Sequence, residues 1–369
     1  MIAVFVSVIL AAPPTTSAAA DPVAELAAAL AGGEASARRR AAVRARRLDA
    51  LQQQALRRQA EALAGAWRGE LIEWARSADT VQTKIEELHQ DWEQRATSLR
   101  ATIDKPTAAP LNDLDRQLAD VRDRYRRLTE AAETLAGGIE RMRDRCERLN
   151  DAAKLIAAVG GPSLPRDWRI TSSRFRKATG LRPDRRAVGI AERVASAHRA
   201  WTRRRAEQLA DQRLAGPERE VLVAVNELRV VLGRRPLAID ATLLKAARHH
   251  SRWMATHGMR HIEDGAGMTN CWDRARHFGY PVVKAIGQCL VGENLSAGPP
   301  VAAAIVRSWW VSPPHRMNMV LPIWSDLAVG MHAGSGEGPA STTRWTLLVG
   351  NKTLPDNYDQ YAGLKVGTE

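Results

Sequence analysis

From about Ser36 to Ile156 the apolar positions recur with the period of a helix. Val81, Ile85, Leu88, Trp92, Ala96, Leu99 and Ile103 are spaced by four, three, four, four, three and four. That alternation fills the a and d positions of a coiled-coil seam, and Trp67, Leu71, Trp74 and Ala78 continue it upstream. Pro106 and Pro110 interrupt the pattern, because each lacks an amide donor and disfavours helix in the residue before it. The spacing then resumes through Leu114, Leu118, Val121, Tyr125, Leu128, Ala132, Leu135, Ile139, Met142, Cys146, Leu149, Ala153 and Ile156. Two seams joined by a short break predict an antiparallel helical hairpin, its second arm roughly 70 Å long at ~1.5 Å per residue. Gly137-Gly138 weakens that arm locally by around 1–2 kcal/mol.

Gly160-Gly161-Pro162 and Pro165 close this region. Residues 166–185 carry no clear period and predict a linker or small cap, and a basic helix follows from about Arg186 to Leu214. Past Ala215-Gly216-Pro217 the pattern changes. Val221, Ala224, Val225, Leu228 and Leu232 share one face of a helix that starts near Pro217 and stops at Gly233. Asp240 caps a second helix carrying Leu243, Leu244, Ala247, His250 and Met254, which ends at Gly258, three residues before His261. Ala328–His332 and Arg344–Gly350 read as two antiparallel strands around a Gly/Ser-rich loop. The expected class is therefore α+β, a mixed C-terminal domain preceded by an all-α hairpin. The expected divisions are a leader at 1–20, the hairpin at 21–160, a linker and basic helix at 161–217, the mixed domain at 218–355 and a tail at 356–369.

Charge adds less than its size suggests. The 369 residues carry a formal net charge of +13, most of it from Arg, and a GC-rich genome yields that bias without selection for binding. The runs Arg38-Arg39-Arg40 and Arg203-Arg204-Arg205 lie among Glu and Asp in helical stretches. They read first as solvated faces and next as grips for an anionic envelope component. No aromatic interleaving suggests base stacking, so no nucleic acid partner is expected. Residues Ile2–Ala12 form an apolar run too short to span a bilayer, which needs ~20 residues. The small residues before Asp21 fit a signal peptide cleaved after Ala20, although no Lys or Arg precedes the run. The expectation is a secreted, periplasmic or cell-envelope protein. In that setting Cys271 and Cys289 would form a disulfide across a loop, the other reading being two reduced thiols. Cys146 on the seam is a small buried apolar residue or a cross-link within a homodimer formed through the coiled coil.

Candidate chemistry concentrates in the last third. Glu293 sits in Gly292-Glu-Asn-Leu295, and His315 sits in Ser312-Pro-Pro-His-Arg316, a short Pro-initiated helix. With His261 these side chains are the right kinds to converge on one cleft. Two imidazoles and a carboxylate can hold Zn or another divalent metal and leave a position open for water. Without metal, Glu293 would act as a base. Ser312 is placed with the cleft, but its expected role is N-cap, its hydroxyl accepting a backbone N–H, rather than nucleophile. Glu263 and Asp264 could add a carboxylate, a solvated loop being the plainer reading. His249, His250, His257, His277 and His332 receive no role, and the chain has neither an HExxH helix nor a nucleophile elbow.

Together these segments resemble the CAP superfamily of cysteine-rich secretory, antigen 5 and pathogenesis-related proteins. The likeness runs in order through Asn226-Glu-Leu-Arg229, Leu237-Ala-Ile-Asp240, Met254, His261, Arg274, Gly279-Tyr280, Gly292-Glu-Asn-Leu295, Trp309, Ser312-Pro-Pro-His-Arg316, Asn318 and Leu327-Ala-Val-Gly330. It is similar to the short bacterial branch and covers residues 218–351. The resemblance implies an α-β-α sandwich with a cleft lined by two His and two acidic residues. His261, Glu293 and His315 match three of them, while the family's other glutamate falls on Ser312. It also implies secretion, and sterol or lipid binding, divalent metal binding or proteolysis. Three readings follow: an exported module binding a small amphipathic, lipid-like molecule; a metal-assisted hydrolase using His261, Glu293 and His315; and a structural coiled-coil envelope protein.

Overall fold

The computed structural model describes residues 21–104, 110–160, 185–264, 267–282, 284–285, 288–334 and 342–352, without the side chains of 75–79, 284–285 and 288–289. The leader at 1–20, most of the linker and the C-terminal tail lie outside the described residues. Among the described residues no helix is long and apolar enough to cross a membrane. The described residues form two compact units, one falling within 1–82 and 135–185, the other within 83–134 and 186–369.

Four helices supply the first unit: α1 Pro22–Gly32, α2 Ala35–Ala45, and parts of α3 Ala50–Ile103 and α4 Leu111–Ala158. Asp21 caps α1, its carboxylate accepting the Val23 N–H at 3.0 Å. Leu26, Leu30, Leu56, Trp67, Leu71, Leu149 and Ile156 form one apolar core with Cys146, a buried free thiol. The seam extends further upstream than its Trp positions suggest, through Ala64, Ala60 and Leu56. Within this unit Glu70 pairs with Arg145 at 2.7 Å, and Trp74 lies over Gly138, so the two long helices run antiparallel. Arg38, one of the basic run, is buried and bonded to Asp151 at 2.8 Å.

In the second unit the remaining parts of α3 and α4 are again antiparallel. Asp91 pairs with Arg124, Arg95 with Asp120 at 3.9 Å, and the Trp92 and Tyr125 rings lie 5.8 Å apart. Beside them come α5 Arg185–Ala210, α6 Gly216–Val231, β1 Ala238–Ile239, α7 Ala241–His257, α8 Cys271–His277, β2 Lys284–Ala285, β3 Gln288–Cys289 and β4 Val291–Ala297. The last elements are α9 Ala302–Val311, α10 Pro313–Val320, β5 Asp326–His332 and β6 Arg344–Gly350. The sheet order is β1-β5-β6-β4, with β1 parallel to β5 and the other pairs antiparallel. Side chains alternate between sheet faces, yet every residue of β6 and six of seven in β4 are buried. Both faces must therefore be covered, and helices pack on β4, β5 and β6 to form the α-β-α sandwich. Asp240 caps α7 as expected, accepting from Thr242 N at 2.8 Å and Leu243 N at 2.9 Å.

The hairpin residues Ala96, Leu99, Ile103, Leu114, Leu118 and Val121 belong to the same apolar core as the sandwich. Polar contacts secure them: Trp92 Nε1 donates to Val231 O at 3.0 Å, and Asp115 accepts from Arg307 at 2.5 and 2.8 Å and from Trp310 Nε1 at 2.9 Å.

The two adjacent glycines of α4 have opposite environments. A methyl group on Gly138 would lie 2.0 Å from Trp74 Nε1, whereas one on Gly137 would meet only the end of the Arg141 side chain, at 3.4 Å. Gly137→Ala is expected to stabilise the protein by about 0.5–1 kcal/mol, and Gly138→Ala to destabilise it by about 1–3 kcal/mol through overpacking. Urea unfolding midpoints of the two variants check this; shifts of the same sign would refute it.

Candidate functional site

Each candidate side chain arrives on a different element. Glu293 points from β4, where pairing with Leu348 of β6 fixes the backbone. His315 lies in the first turn of α10. Asn294 Nδ2 donates to the His315 carbonyl at 2.8 Å, and Asn318 Nδ2 donates to Glu293 O at 3.2 Å and Asn294 Oδ1 at 2.9 Å. These amides tie strand to helix and so set where the imidazole can sit. His261 occupies the segment after α7, and its carbonyl accepts from Arg274 at 3.1 Å.

The three predicted residues converge. His261 Nδ1 is 2.9 Å from Glu293 Oε1, and the His261 and His315 ring centroids are 6.4 Å apart. Glu293 is 2% exposed and Arg274 fully buried, with the Arg274 guanidinium donating to Glu293 Oε2 at 2.5 Å. Burial alone would raise the Glu293 pKa, but the charge of Arg274 and the hydrogen bond from His261 hold it down to about 2. An ionised carboxylate only accepts, so His261 Nδ1 carries the proton and Nε2 is left for other contacts. For His315, burial followed by repulsion from His261 outweighs the pull of Glu293 and lowers the pKa to about 4. At neutral pH this imidazole is uncharged.

A second carboxylate completes the cluster, from the segment whose plainer reading was a solvated loop. Glu263 is buried, not solvated. It accepts from His250 Nδ1 at 2.6 Å and His249 Nε2 at 3.1 Å, and lies 3.5 Å from Arg274 Nε. Burial works to raise its pKa, and the His250 bond with the charge of Arg274 lowers it overall. Asp264 is exposed and pairs with Arg260 at 3.0 Å. The sequence held a signal for Glu263. His250 shares the apolar face of α7 with Leu243, Leu244 and Met254, and a buried imidazole needs a polar partner close by.

Two other expectations are corrected. Ser312 is the N-cap of α10 by position, but its hydroxyl makes no capping bond. An N-cap oxygen reaches the second or third amide of the helix, and Pro313 and Pro314 occupy the first two positions, leaving only one donor within reach. Cys271 is a free, buried thiol whose Sγ lies 3.8 Å from Val291 O, so it is not half of a disulfide with Cys289. It begins α8 facing the core, where burial pushes its pKa up. The Cys289 side chain lies outside those described.

The donor set does not fit the metal centre considered for His261, Glu293 and His315. Both Glu293 oxygens are already engaged, one by His261 and one by the Arg274 cation, which leaves two imidazoles where a catalytic zinc site has three protein ligands. Among the described residues no group of three or more His, Cys, Asp and Glu is disposed to hold a metal ion.

Residues 222–347 match the model of the cysteine-rich secretory protein family, CAP. The uncharacterized protein YkwD of Bacillus subtilis (strain 168) is 30% identical over 115 residues, covering 31% of this chain. The chain spans 41% of the length of that relative. An extracellular protein containing a SCP domain from Bacillus anthracis strain Ames, known from a 1.5 Å crystal structure, aligns with a TM-score of 0.31. The identity there is 22%, over 37% of this chain and 41% of the other.

Arg274→Met would leave two carboxylates buried without their cation, and a loss of about 3–5 kcal/mol is expected; an unchanged urea midpoint would contradict the central role of the guanidinium. Acid should destabilise the fold in two windows. Below 6.5 the unfolded chain protonates His315 while the folded one does not until about 4, so stability falls as pH drops through that interval. Glu293 extends the loss from 4.5 toward 2. His315→Asn is expected to shrink the stability difference between pH 7 and pH 5 relative to the parent protein, leaving the lower window intact.

Proposed function

With residues 222–347 a CAP domain, we propose that this chain is an exported binding module whose imidazole pair holds the polar group of a small, lipid-like molecule. One observation supports this above the others: the Glu293 carboxylate is consumed by His261 and Arg274. A carboxylate held down to about 2 by Arg274 and His261 is a poor base at neutral pH, and Glu293 instead fixes the tautomer and orientation of His261. The groups left to meet a ligand are His261 Nε2 and the ring of His315, which has no hydrogen-bond partner among the described residues. A neutral imidazole offers one donor and one acceptor, which suits a hydroxyl or carbonyl. Export is supported by the leader-like residues before Asp21 and by the secretory character of the matched family.

Organic extraction of the purified full-length protein, followed by mass spectrometry, is expected to release a small amphipathic molecule. His315→Ala and His261→Ala are expected to lose it while retaining the folded far-ultraviolet spectrum. Metal-dependent hydrolysis of ester or peptide substrates that disappears in His315→Ala would overturn the binding-module reading in favour of a hydrolase.

A further inference from the structure

A cavity of about 510 Å³ lies where α5 meets the hairpin and the α6–β1 segment of the second unit. Its walls are apolar and aromatic: Trp92 and Tyr125 from the hairpin, Val194 and Trp201 from α5, Val230 and Pro236 beyond. The Trp92 N–H is spent on Val231 O, so the indole contributes its apolar surface. Burial, reinforced by the charge of Glu133, pushes the Tyr125 hydroxyl up to about 12 and keeps it neutral. The volume falls within the ~300–1,000 Å³ typical of small-molecule sites.

Three arginines, Arg204, Arg234 and Arg235, border this cavity. Arg204 and Arg235 are exposed and make no ion pair among the described residues. Arg234 is shared with Asp104 at 3.7 Å, and its Nε is buried without a hydrogen-bond partner. Beneath them Arg229 is buried and bonded to the carbonyls of Arg235, Met319 and Leu321. Burial first, then the charges of Arg234 and Arg235, pull its pKa to about 9. Of the acids near this cavity, Asp104 is committed to Arg234, and Glu133 lies toward Tyr125 and His198, 4.0 Å from the His198 ring. Packing alone gives no reason to gather like charges around an apolar hole, whereas an anionic head above an apolar tail would satisfy both.

We propose that this cavity binds a single-chain amphiphilic anion, its tail among Trp92, Tyr125 and Trp201 and its phosphate or carboxylate head at Arg204, Arg234 and Arg235. Most of the wall comes from helices outside the CAP match, and the site is independent of the imidazole pair. Calorimetric titration of the full-length protein with dodecyl phosphate and with laurate, both kept below their micellar concentrations, tests it. One-to-one binding of either anion supports the site, and the tighter of the two names the head group. Arg204→Ala/Arg235→Ala should weaken binding tenfold or more. Ala197→Trp, at an exposed position on the cavity wall, should abolish it without unfolding the helix. Dodecyltrimethylammonium and inorganic phosphate alone should not bind measurably. Absence of binding by both anions, equal binding of the cationic surfactant, or affinity unmoved by both variants would overturn the proposal. A molecule extracted from the protein that survives His315→Ala but is lost in Ala197→Trp would locate it here and not at the imidazoles.

Discussion

The guanidinium of Arg274 is the point on which the C-terminal domain depends. It is fully buried between two buried carboxylates, 2.5 Å from Glu293 and 3.5 Å from Glu263. Removing such charges from water costs several kcal/mol per ion, and attraction offsets that only when geometry is good and the remaining donors are satisfied. Here Nη1 donates to main-chain carbonyls, His261 O at 3.1 Å and Thr269 O at 3.4 Å, while Nε faces Glu263 without a hydrogen bond. One side chain from α8 thus joins the segment after α7 to strand β4. Among its described residues that segment has no strand or helix of its own, and Arg274 joins the bonds of Glu263 to His249 and His250 in fixing its path.

The same charge cluster divides the labour between the two imidazoles. Glu293, kept ionised, accepts a hydrogen bond from His261 Nδ1–H and fixes which nitrogen faces outward. His315 has no such partner and is kept neutral by burial and by its neighbour. One ring is oriented by an acid and the other by its backbone, through Asn294 and Asn318. Glu293 thus acts on His261 by fixing its tautomer and orientation, and the nitrogen turned outward is an imidazole one rather than a carboxylate oxygen.

What could be read from the sequence follows from what leaves a periodic trace. The four-three spacing of Leu114, Leu118, Val121 and Leu128 identified buried positions because a helix can hide only one stripe. The convergence of His261, Glu293 and His315 was legible through the order of short segments resembling CAP proteins. Glu263 left no periodic trace, since it lies in an irregular segment where exposed Ile262 and buried Glu263 invert the usual preference. The hydroxyl of Ser312 was misjudged because cap preference was weighed without counting the amides that two prolines remove. Nor could spacing show that Asp115, off the seam, accepts hydrogen bonds from Arg307 and Trp310, nearly two hundred residues later.

That last contact changes how the hairpin should be regarded. A coiled-coil seam alone would bury Leu114, Leu118 and Val121 against the opposite arm. In the second unit they also share a core with Leu228, Ile305 and Trp310 of the sandwich helices α6 and α9. Polar bonds flank that apolar contact: Trp92 to Val231, Arg100 to Leu232 at 2.6 Å, and Asp115 to Arg307. Buried polar groups must find partners, and the groups satisfied here are the last carbonyls of α6, which a helix end leaves open. The hairpin therefore completes the sandwich by capping one of its helices and covering an apolar face between two. A boundary drawn by periodicity separates these pieces, whereas hydrogen bonding and burial place them in one compact unit.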